Sequence, residues 1–438
     1  IENLSESKKK QNKPDTATPS KDGWFSNIGP GLAYVACCLG AGDMVSNAAA
    51  GAGYEYHLIW ALGMTLAFRF VWVNTSAKYV LVTGESLITG YGRAGKWVPW
   101  VFLVAVIMTR CIYMSYAMLL MGDTADMLLP LPFSYSIQIW TCFFTLLGFC
   151  MTFWGGYLIV ESFCKVLVGI MGGSLIIATF LAKPDPVAVF SGTFAPNLPD
   201  AQGLYSAILI IIAMIGIEVG STANLNYAYF IQEKGWRTVA YLKRQRFDLA
   251  VAMATMFFMG ALMQIAAGAT IHPLGIEPTD SKDLARIFSE TLGEIGRVVF
   301  ALGLWGASFS TFIGGNTGGG LIVRDICRNF IPGLKRSTEG ETANQDPIYR
   351  ASIIFWSFTP LYIVFAEVEP VWFIIMASPF LVLSIPLLVI ALLKITNDRS
   401  LMGDYKNGWF TNVVMVILVL VTLYLIYLKV LEFYGKFI

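Results

Sequence analysis

Long apolar stretches recur along the whole chain, and they constrain its fold more than any other feature. A membrane-spanning helix needs about 20 mostly apolar residues, and windows of that length predict about eleven spans. The predicted spans cover residues 30–50, 58–83, 98–121, 134–155, 163–182, 204–232, 248–270, 293–322, 350–366, 371–394 and 409–430. Only 13% of the 438 residues are charged, whereas soluble domains carry about 25%. The sequence therefore excludes a water-soluble globular protein and predicts an all-α polytopic membrane protein.

Lys and Arg are concentrated in alternate loops, which predicts the orientation of the chain in the bilayer. With the N-terminus inside, the inner segments hold Lys8, Lys9, Lys10, Lys13, Lys21, Arg93, Lys96, Lys234, Arg237, Lys243, Arg244, Arg246, Lys335, Arg336, Arg350, Lys394, Arg399 and Lys406. The outer segments hold far fewer, so we expect a multi-pass plasma-membrane protein with a cytoplasmic N-terminus and an outside C-terminus. Residues 1–27 are polar and rich in lysine, and we expect a disordered cytoplasmic tail there. The formal net charge of +1 gives no field that would attract nucleic acid.

Two of the predicted spans contain glycine-rich breaks beside a carboxylate. The first span carries Gly40-Ala41-Gly42-Asp43 near its middle, and the sixth carries Glu218-Val219-Gly220-Ser221-Thr222. Spans one and six occupy matching positions in two halves of five spans, which is typical of inverted-repeat transporters with a binding site between broken helices. We therefore predict repeats over 28–182 and 183–396, followed by an eleventh span and C-terminus over 397–438.

Four charged residues lie near the middle of predicted spans, where ionisable groups are rare and often functional. They are Asp43, Arg69, Arg110 and Glu218, and their charges sum to zero. One interpretation is two buried ion pairs that lock the helices together. The other is a binding site built from the two carboxylates, with the arginines as coupling or charge-balancing groups. The sequence alone leaves both open.

No catalytic motif is present, and no enzyme activity is expected. The chain lacks G-x-x-x-x-G-K-[ST], G-x-S-x-G and H-E-x-x-H, so uphill transport would need an ion gradient. Six of the seven cysteines, Cys38 among them, lie in apolar segments without metal-site spacing. We interpret these six as small apolar residues and expect no cofactor, apart from a transported divalent cation.

Several motifs resemble the natural resistance-associated macrophage protein (NRAMP) family of divalent-metal transporters, from about residue 28 to the end. They are Gly29-Pro30-Gly31-Leu32, Val82-Thr83-Gly84, Gly306–Gly315, Leu383-Ser384-Ile385-Pro386-Leu387 and Thr396–Gly403 followed by Asn407–Asn412. The resemblance implies a LeuT-type fold of five plus five inverted repeats, with spans one and six broken.

The departures from the family pattern fall on the expected site. The family's D-P-G-N in span one is Gly40-Ala41-Gly42-Asp43 here, so Gly40 replaces its metal-binding aspartate and Asp43 its asparagine. Its M-P-H in span six corresponds to Gly220-Ser221-Thr222, which removes the thioether and the histidine of the proton path. In span three, Arg110 and Tyr113 stand where the family usually has acidic residues. A soft sulfur ligand favours transition metals, so this pattern argues against proton-coupled transition-metal transport.

Two kinds of cargo fit these residues. A hard divalent cation such as Mg²⁺ or Mn²⁺ could be bound by Asp43, Glu218 and Asn47, together with the carbonyls of Gly40 and Ile217. Alternatively, a small organic zwitterion or anion could place a carboxylate on the backbone at Gly40-Ala41-Gly42, with Arg110 favouring negative charge. Ser221 and Thr222 belong to the expected site in both cases. Nothing in the sequence indicates an oligomer, and a monomer in the lipid bilayer is expected.

Overall fold

The computed structural model describes residues 30–154, 157–200, 204–334 and 345–435 of the chain, and within these ranges the secondary structure is helical. The helices are α1 (Pro30–Cys38), α2 (Ala41–Tyr54), α3 (Ile59–Thr83), α4 (Leu87–Ala94), α5 (Val98–Leu128), α6 (Ser136–Trp154), α7 (Tyr157–Leu181), α8 (Pro186–Phe194), α9 (Ala207–Glu218), α10 (Asn226–Glu233), α11 (Leu242–Thr270), α12 (Ser281–Phe330), α13 (Pro347–Phe358), α14 (Pro370–Ala377), α15 (Ile385–Asn397), α16 (Arg399–Met402) and α17 (Trp409–Gly435). Short 3₁₀ turns connect several of them: Thr222–Leu225, Val239–Tyr241, Thr359–Ala366, Ser378–Ser384 and Gly403–Tyr405. The predicted tail over 1–27 lies outside the described residues.

In the described part of the chain, eight helical stretches are long and apolar enough to cross a membrane. A ninth results if Gly169–Leu181 and α8, which are bent by 119° relative to each other, are counted as one span. The first two predicted spans correspond to the pair α1 and α2 and to α3. The chain is therefore a multi-pass membrane protein, as predicted.

The first predicted span is broken at Leu39 and Gly40, where two helices of 9 and 14 residues meet. Gly40 has extended backbone angles (φ −103°, ψ −175°). A Cβ atom at this position would overlap the hydroxyl of Thr311 on α12. Glycine is therefore required here because α12 approaches the broken backbone closely.

The sixth predicted span is broken between Glu218 and Thr222. Ser221 begins the next turn, since its Oγ accepts the N–H of Ala223 at 3.1 Å. Asn224 donates its amide to the carbonyls of Glu218 and Val219, both at 2.9 Å. Backbone groups that a broken helix leaves exposed in a membrane must be satisfied by neighbouring side chains, and Asn224 fulfils this role.

The eighth predicted span, 293–322, is shorter than the helix that contains it. α12 continues over 50 residues and has a kink at Gly293 (φ 61°, ψ −148°). Asp280 caps its first turn by accepting the N–H of Asp283 at 2.8 Å. The predicted start of the span coincides with the kink, because residues 281–292 form a more polar helix that precedes the apolar part.

The two broken helices lie at the centre of the bundle. α2 packs against α11 and α9, and α12 packs along α5 and α7. All residues of α9 except Ile208 are buried, as are 13 of the 14 residues of α2. Both breaks are thereby held inside the protein and away from lipid.

Candidate functional site

The four charged residues predicted near mid-span converge beside the two breaks. Asp43, Arg69, Arg110 and Glu218 are 4%, 1%, 3% and 2% exposed. Nη1 of Arg69 forms an ion pair with Oε2 of Glu218, and the carboxyl groups of Asp43 and Glu218 lie against each other. Asp43 and Arg110 line one small cavity. The structure thus contains elements of both interpretations: one buried ion pair and, beside it, a cavity with one acidic and one basic side chain.

Arg69 joins three elements through its guanidinium group. Besides its contact with Glu218, its Nε donates to the hydroxyl of Tyr34 at 2.9 Å and to Oδ1 of Asn224 at 2.8 Å. The Tyr34 hydroxyl donates in turn to Oδ1 of Asn224 at 2.5 Å. α3 is therefore connected to α1 on one side and to the break in the sixth predicted span on the other.

The two carboxylate oxygens of Asp43 have different surroundings. Oδ2 accepts the backbone N–H of Gly40 at 2.8 Å, which caps the first turn of α2. Oδ1 is buried, and no donor among the described residues forms a hydrogen bond with it. A buried carboxylate oxygen without a donor is costly, so Oδ1 needs either a ligand or a proton shared with the adjacent carboxyl group of Glu218.

The cavity beside Asp43 has a volume of about 10 Å³, which is about the minimum for holding one water molecule. It is lined by Cys38, Gly40, Asp43, Arg110, Tyr113, Met114, Tyr116, Ser221, Ala223, Asn226, Thr311, Gly314 and Gly315. Nη1 of Arg110 donates to the carbonyl of Gly315 at 3.2 Å. The hydroxyl of Tyr113 donates to the carbonyl of Ile217 at 2.6 Å. In this conformation the cavity can enclose one ion or one small group.

Some of the predicted site residues do not line this cavity. Asn47 donates to the carbonyl of Asp43 at 2.7 Å, and its Oδ1 accepts the amide of Gln264 at 2.8 Å. Gly220 instead lies against backbone, since a Cβ there would be 2.6 Å from the carbonyl oxygens of Gly216 and Leu381. Glu218 is absent from the lining and is engaged by Arg69.

Ala41, Gly42 and Thr222 also lie outside the lining. Ala41 is fully buried. A Cβ on Gly42 would be 2.8 Å from the hydroxyl of Tyr116. Thr222 is buried too, and its Oγ1 has no hydrogen-bond partner in the described part of the chain. These three residues pack around the breaks rather than along the cavity. Of the three, only Thr222 has a polar side-chain atom without a hydrogen bond in the described part of the chain.

The structure adds residues that the sequence interpretation did not include. Cys38 and Met114 bring sulfur-bearing side chains to the cavity, whereas the sequence predicted an apolar role for Cys38 and only oxygen ligands. Met114 follows Arg110 by four positions on α5 and therefore lies on the same helix face, a signal that was available in the sequence. Asn226 also lines the cavity; the sequence places it one turn beyond the break and leaves two roles open for it, an oxygen ligand or a hydrogen bond to exposed backbone.

Acidic, histidine and cysteine side chains do not form a ready-made metal centre. Within the described ranges, no group of three or more of these residues is arranged to hold a metal ion. Any bound cation would therefore depend on Asp43 together with hydroxyl, amide, carbonyl or water oxygens.

Solved structures with a similar fold come from membrane transporters. A manganese transporter of Eremococcus coleocola, solved with an aromatic bis-isothiourea compound, matches with a TM-score of 0.76 at 15% identity, over 97% of this chain and 92% of that one. The nucleobase-cation-symport-1 family transporter Mhp1 in a closed conformation matches with a TM-score of 0.55 at 14% identity, over 88% and 81% of the two chains. These matches confirm the predicted LeuT-type fold.

Curated relatives match over nearly the whole chain. The divalent metal cation transporter MntH of Erwinia tasmaniensis is 25% identical over 404 residues, covering 88% of this chain and 89% of its own length. MntH of Pectobacterium carotovorum is 24% identical over 433 residues, covering 95% and 96%. The family model described as "Natural resistance-associated macrophage protein-like" matches residues 31–432. The chain therefore belongs to the NRAMP family, as its sequence motifs predicted.

Proposed function

We propose that this protein is a secondary transporter that works by alternating access and carries a hard divalent cation of the Mg²⁺ or Mn²⁺ type. The family membership and the names of the relatives, which are divalent metal cation transporters, support transport of a metal ion. The two broken helices support a site at the middle of the bilayer, since discontinuous helices provide backbone groups for ions in this class of fold. The absence of nucleotide-binding and catalytic motifs from the sequence favours a transporter driven by an ion gradient.

The observation that carries the proposal is that Asp43 lines the cavity and that its buried Oδ1 accepts no hydrogen bond from the residues described. A cation would satisfy this oxygen. Ser221, Thr311 and Asn226 add hydroxyl and amide oxygens to the same cavity, and these are ligands that hard cations prefer. Mg²⁺ keeps several of its waters and needs only one or two carboxylates, so Asp43 can suffice in a conformation whose cavity is wide enough for those waters.

A second cargo is favoured by one observation. Arg110 lines the same cavity as Asp43, so opposite charges face a common space. This arrangement is complementary to a small zwitterion, whose amine would bind Asp43 and whose carboxylate would bind Arg110. An amino-acid-like substrate is the alternative proposal, and it requires a larger cavity in another conformation.

An uptake assay in proteoliposomes distinguishes the two cargoes. Purified protein would be tested with Mg²⁺, Mn²⁺ and Ca²⁺, and separately with a panel of labelled amino acids and small carboxylates. Saturable uptake of a divalent cation that Asp43→Ala abolishes would support the proposal. Asp126→Ala is the matched control, because it deletes a carboxylate that lies in the outer part of α5. This variant should retain uptake. Uptake of an amino acid alone would refute the cation proposal, and intact cation uptake in Asp43→Ala would refute the site.

The remaining features of the proposal concern the membrane. We propose a monomer in the plasma membrane with its N-terminus in the cytoplasm, its C-terminus outside and repeats over 28–182 and 183–396. The distribution of Lys and Arg between the loops supports this orientation. Labelling of single cysteines introduced at Lys96 and Lys282 with an impermeant reagent tests it, because only position 282 should react from outside.

A further inference from the structure

We propose that Asn226 is the second side-chain ligand of the transported cation beside Asp43, in place of the expected Glu218. This inference rests on the proposed function, because it concerns the same cavity and the same cargo.

Glu218 is unsuited to be a ligand because another group already neutralises it. Its Oε2 is paired with Nη1 of Arg69, and the guanidinium of Arg69 is fixed further by Tyr34 and Asn224 at 2.9 and 2.8 Å. An arginine remains charged in proteins, so a divalent cation that approached Glu218 would meet a fixed positive charge. Glu218 is also not part of the cavity lining.

Asn226 has the opposite properties. It lines the cavity, it is 3% exposed, and its Oδ1 is buried without a hydrogen bond from the described parts of the chain. A buried amide oxygen without a hydrogen bond destabilises the protein, and a bound cation would remove that cost. Amide oxygens are common ligands of hard cations.

The position of Asn226 is set by a close contact with α12. A Cβ atom on Gly318 would be 2.6 Å from Nδ2 and 2.7 Å from Oδ1 of Asn226. A side chain at 318 would displace this amide, so glycine at this position lets the amide pack against the backbone of α12. The asparagine amide therefore packs against α12 at the first turn of α10, and Asn226 lines the same cavity as Asp43, which caps α2.

Asp43 and Asn226 each follow a break, but the two broken spans run in opposite directions across the membrane in the predicted orientation. Asp43 lies at the start of α2, after the first break, and Asn226 lies at the start of α10, after the second. In the predicted orientation these are the outer half of span one and the inner half of span six. A cation held by both side chains would join the outer and inner halves of the site.

Calorimetric titration of the purified full-length chain in detergent with Mn²⁺ and with Mg²⁺ tests the inference. Asn226→Ala should weaken binding at least about tenfold, which corresponds to the loss of one good ligand. Asn226→Asp should restore or tighten binding, because it keeps an oxygen and adds a negative charge. Glu218→Gln should weaken binding less than Asn226→Ala does.

Asn316→Ala is the matched control. Asn316 is fully buried on α12, its amide donates to the hydroxyl of Ser357 at 3.1 Å, and it does not line the cavity. Its removal should leave the dissociation constant within about twofold, a change of under half a kcal/mol. If Asn226→Ala does not yield folded protein, Asn226→Leu keeps the number and branching of the side-chain heavy atoms, removes the oxygen and decides the same question.

The possible failures can be told apart. Unchanged affinity in the Asn226 variants with loss of binding in Asp43→Ala would overturn the role of Asn226 and leave the proposed function intact. A larger loss in Glu218→Gln than in Asn226→Ala would make Glu218 the ligand and also overturn the inference. If the unmodified protein binds neither Mn²⁺ nor Mg²⁺, the proposed function itself fails.

Discussion

Replacing Arg69 by methionine should destabilise the protein by about 3–5 kcal/mol, because breaking a buried ion pair leaves an uncompensated charge. Arg69 is 1% exposed and Glu218 2% exposed, so water cannot replace the lost partner. The substitution also leaves the carboxyl groups of Glu218 and Asp43 against each other without a cation. In addition, it removes the hydrogen bonds from Nε to Tyr34 and Asn224.

Replacing Glu218 by glutamine should cost less, about 1–3 kcal/mol. Arg69 would keep its two other acceptors, and Asp43 would remain near enough to stabilise its charge. The double variant Arg69→Met/Glu218→Leu should recover most of the loss, since well-packed apolar residues often replace a buried ion pair without a net cost. The two single variants should thus differ in stability, and their effects should not add.

Denaturant unfolding of the purified protein, followed by tryptophan fluorescence, measures these differences, and Glu218→Leu is the second single variant that closes the double-mutant cycle with Arg69→Met. Arg93→Met is the control, because its ion pair with Glu85 lies at the surface, with side chains 47% and 31% exposed, and exposed pairs contribute about 0–1 kcal/mol. The reasoning is wrong if Arg69→Met is as stable as Arg93→Met. It is also wrong if the double variant loses the sum of the two single costs.

Three further predictions concern the walls of the cavity and the attachment of α1. Gly40→Ala should abolish transport because its Cβ would overlap the hydroxyl of Thr311, and Thr311→Ala should restore part of the activity in the double variant; no rescue in an uptake assay would contradict this. Met114→Leu, which removes a thioether of similar volume, should leave Mg²⁺ uptake unchanged; a loss would show that the sulfur binds the cargo. Tyr34→Phe should weaken the attachment of α1 by about 1–3 kcal/mol and increase the labelling of an engineered cysteine beneath α1 from the cytoplasmic side; equal labelling would refute this role.

The sequence predicted the broken helices because glycine next to a buried carboxylate is rare in a membrane span and has a direct physical meaning. Gly40 with Asp43 and Gly220 with Glu218 indicated both breaks and the region where they meet. It also predicted that the four charged residues near mid-span form either a binding site or buried ion pairs. These features depend on local sequence and on the cost of charge in a membrane, so they can be identified from a single sequence before its fold is known.

The partners of individual side chains could not be predicted in the same way. Asn47 and Asn226 both lie one turn beyond a break, yet Asn47 meets Gln264 whereas the Oδ1 of Asn226 meets no donor among the described residues. The difference depends on a residue of α11 that is 217 positions away in the chain. Likewise, only the packing of α3 against α9 and of α5 against α12 determines that Arg69 pairs with Glu218 while Arg110 lines the cavity.

The carboxyl group of Asp43 caps α2 and also lines the cavity, so the start of this helix is coupled to the binding of the cargo. One oxygen of Asp43 holds the N–H of Gly40 at 2.8 Å, and the other is the proposed contact to the cargo. A cation that draws this carboxylate toward itself would pull on the first turn of α2 through a bond that spans only three residues. Binding and release of the cation would then change the geometry of the break between α1 and α2 directly, without a relay through distant residues. The first turn of α2 would therefore differ between the loaded and the empty protein.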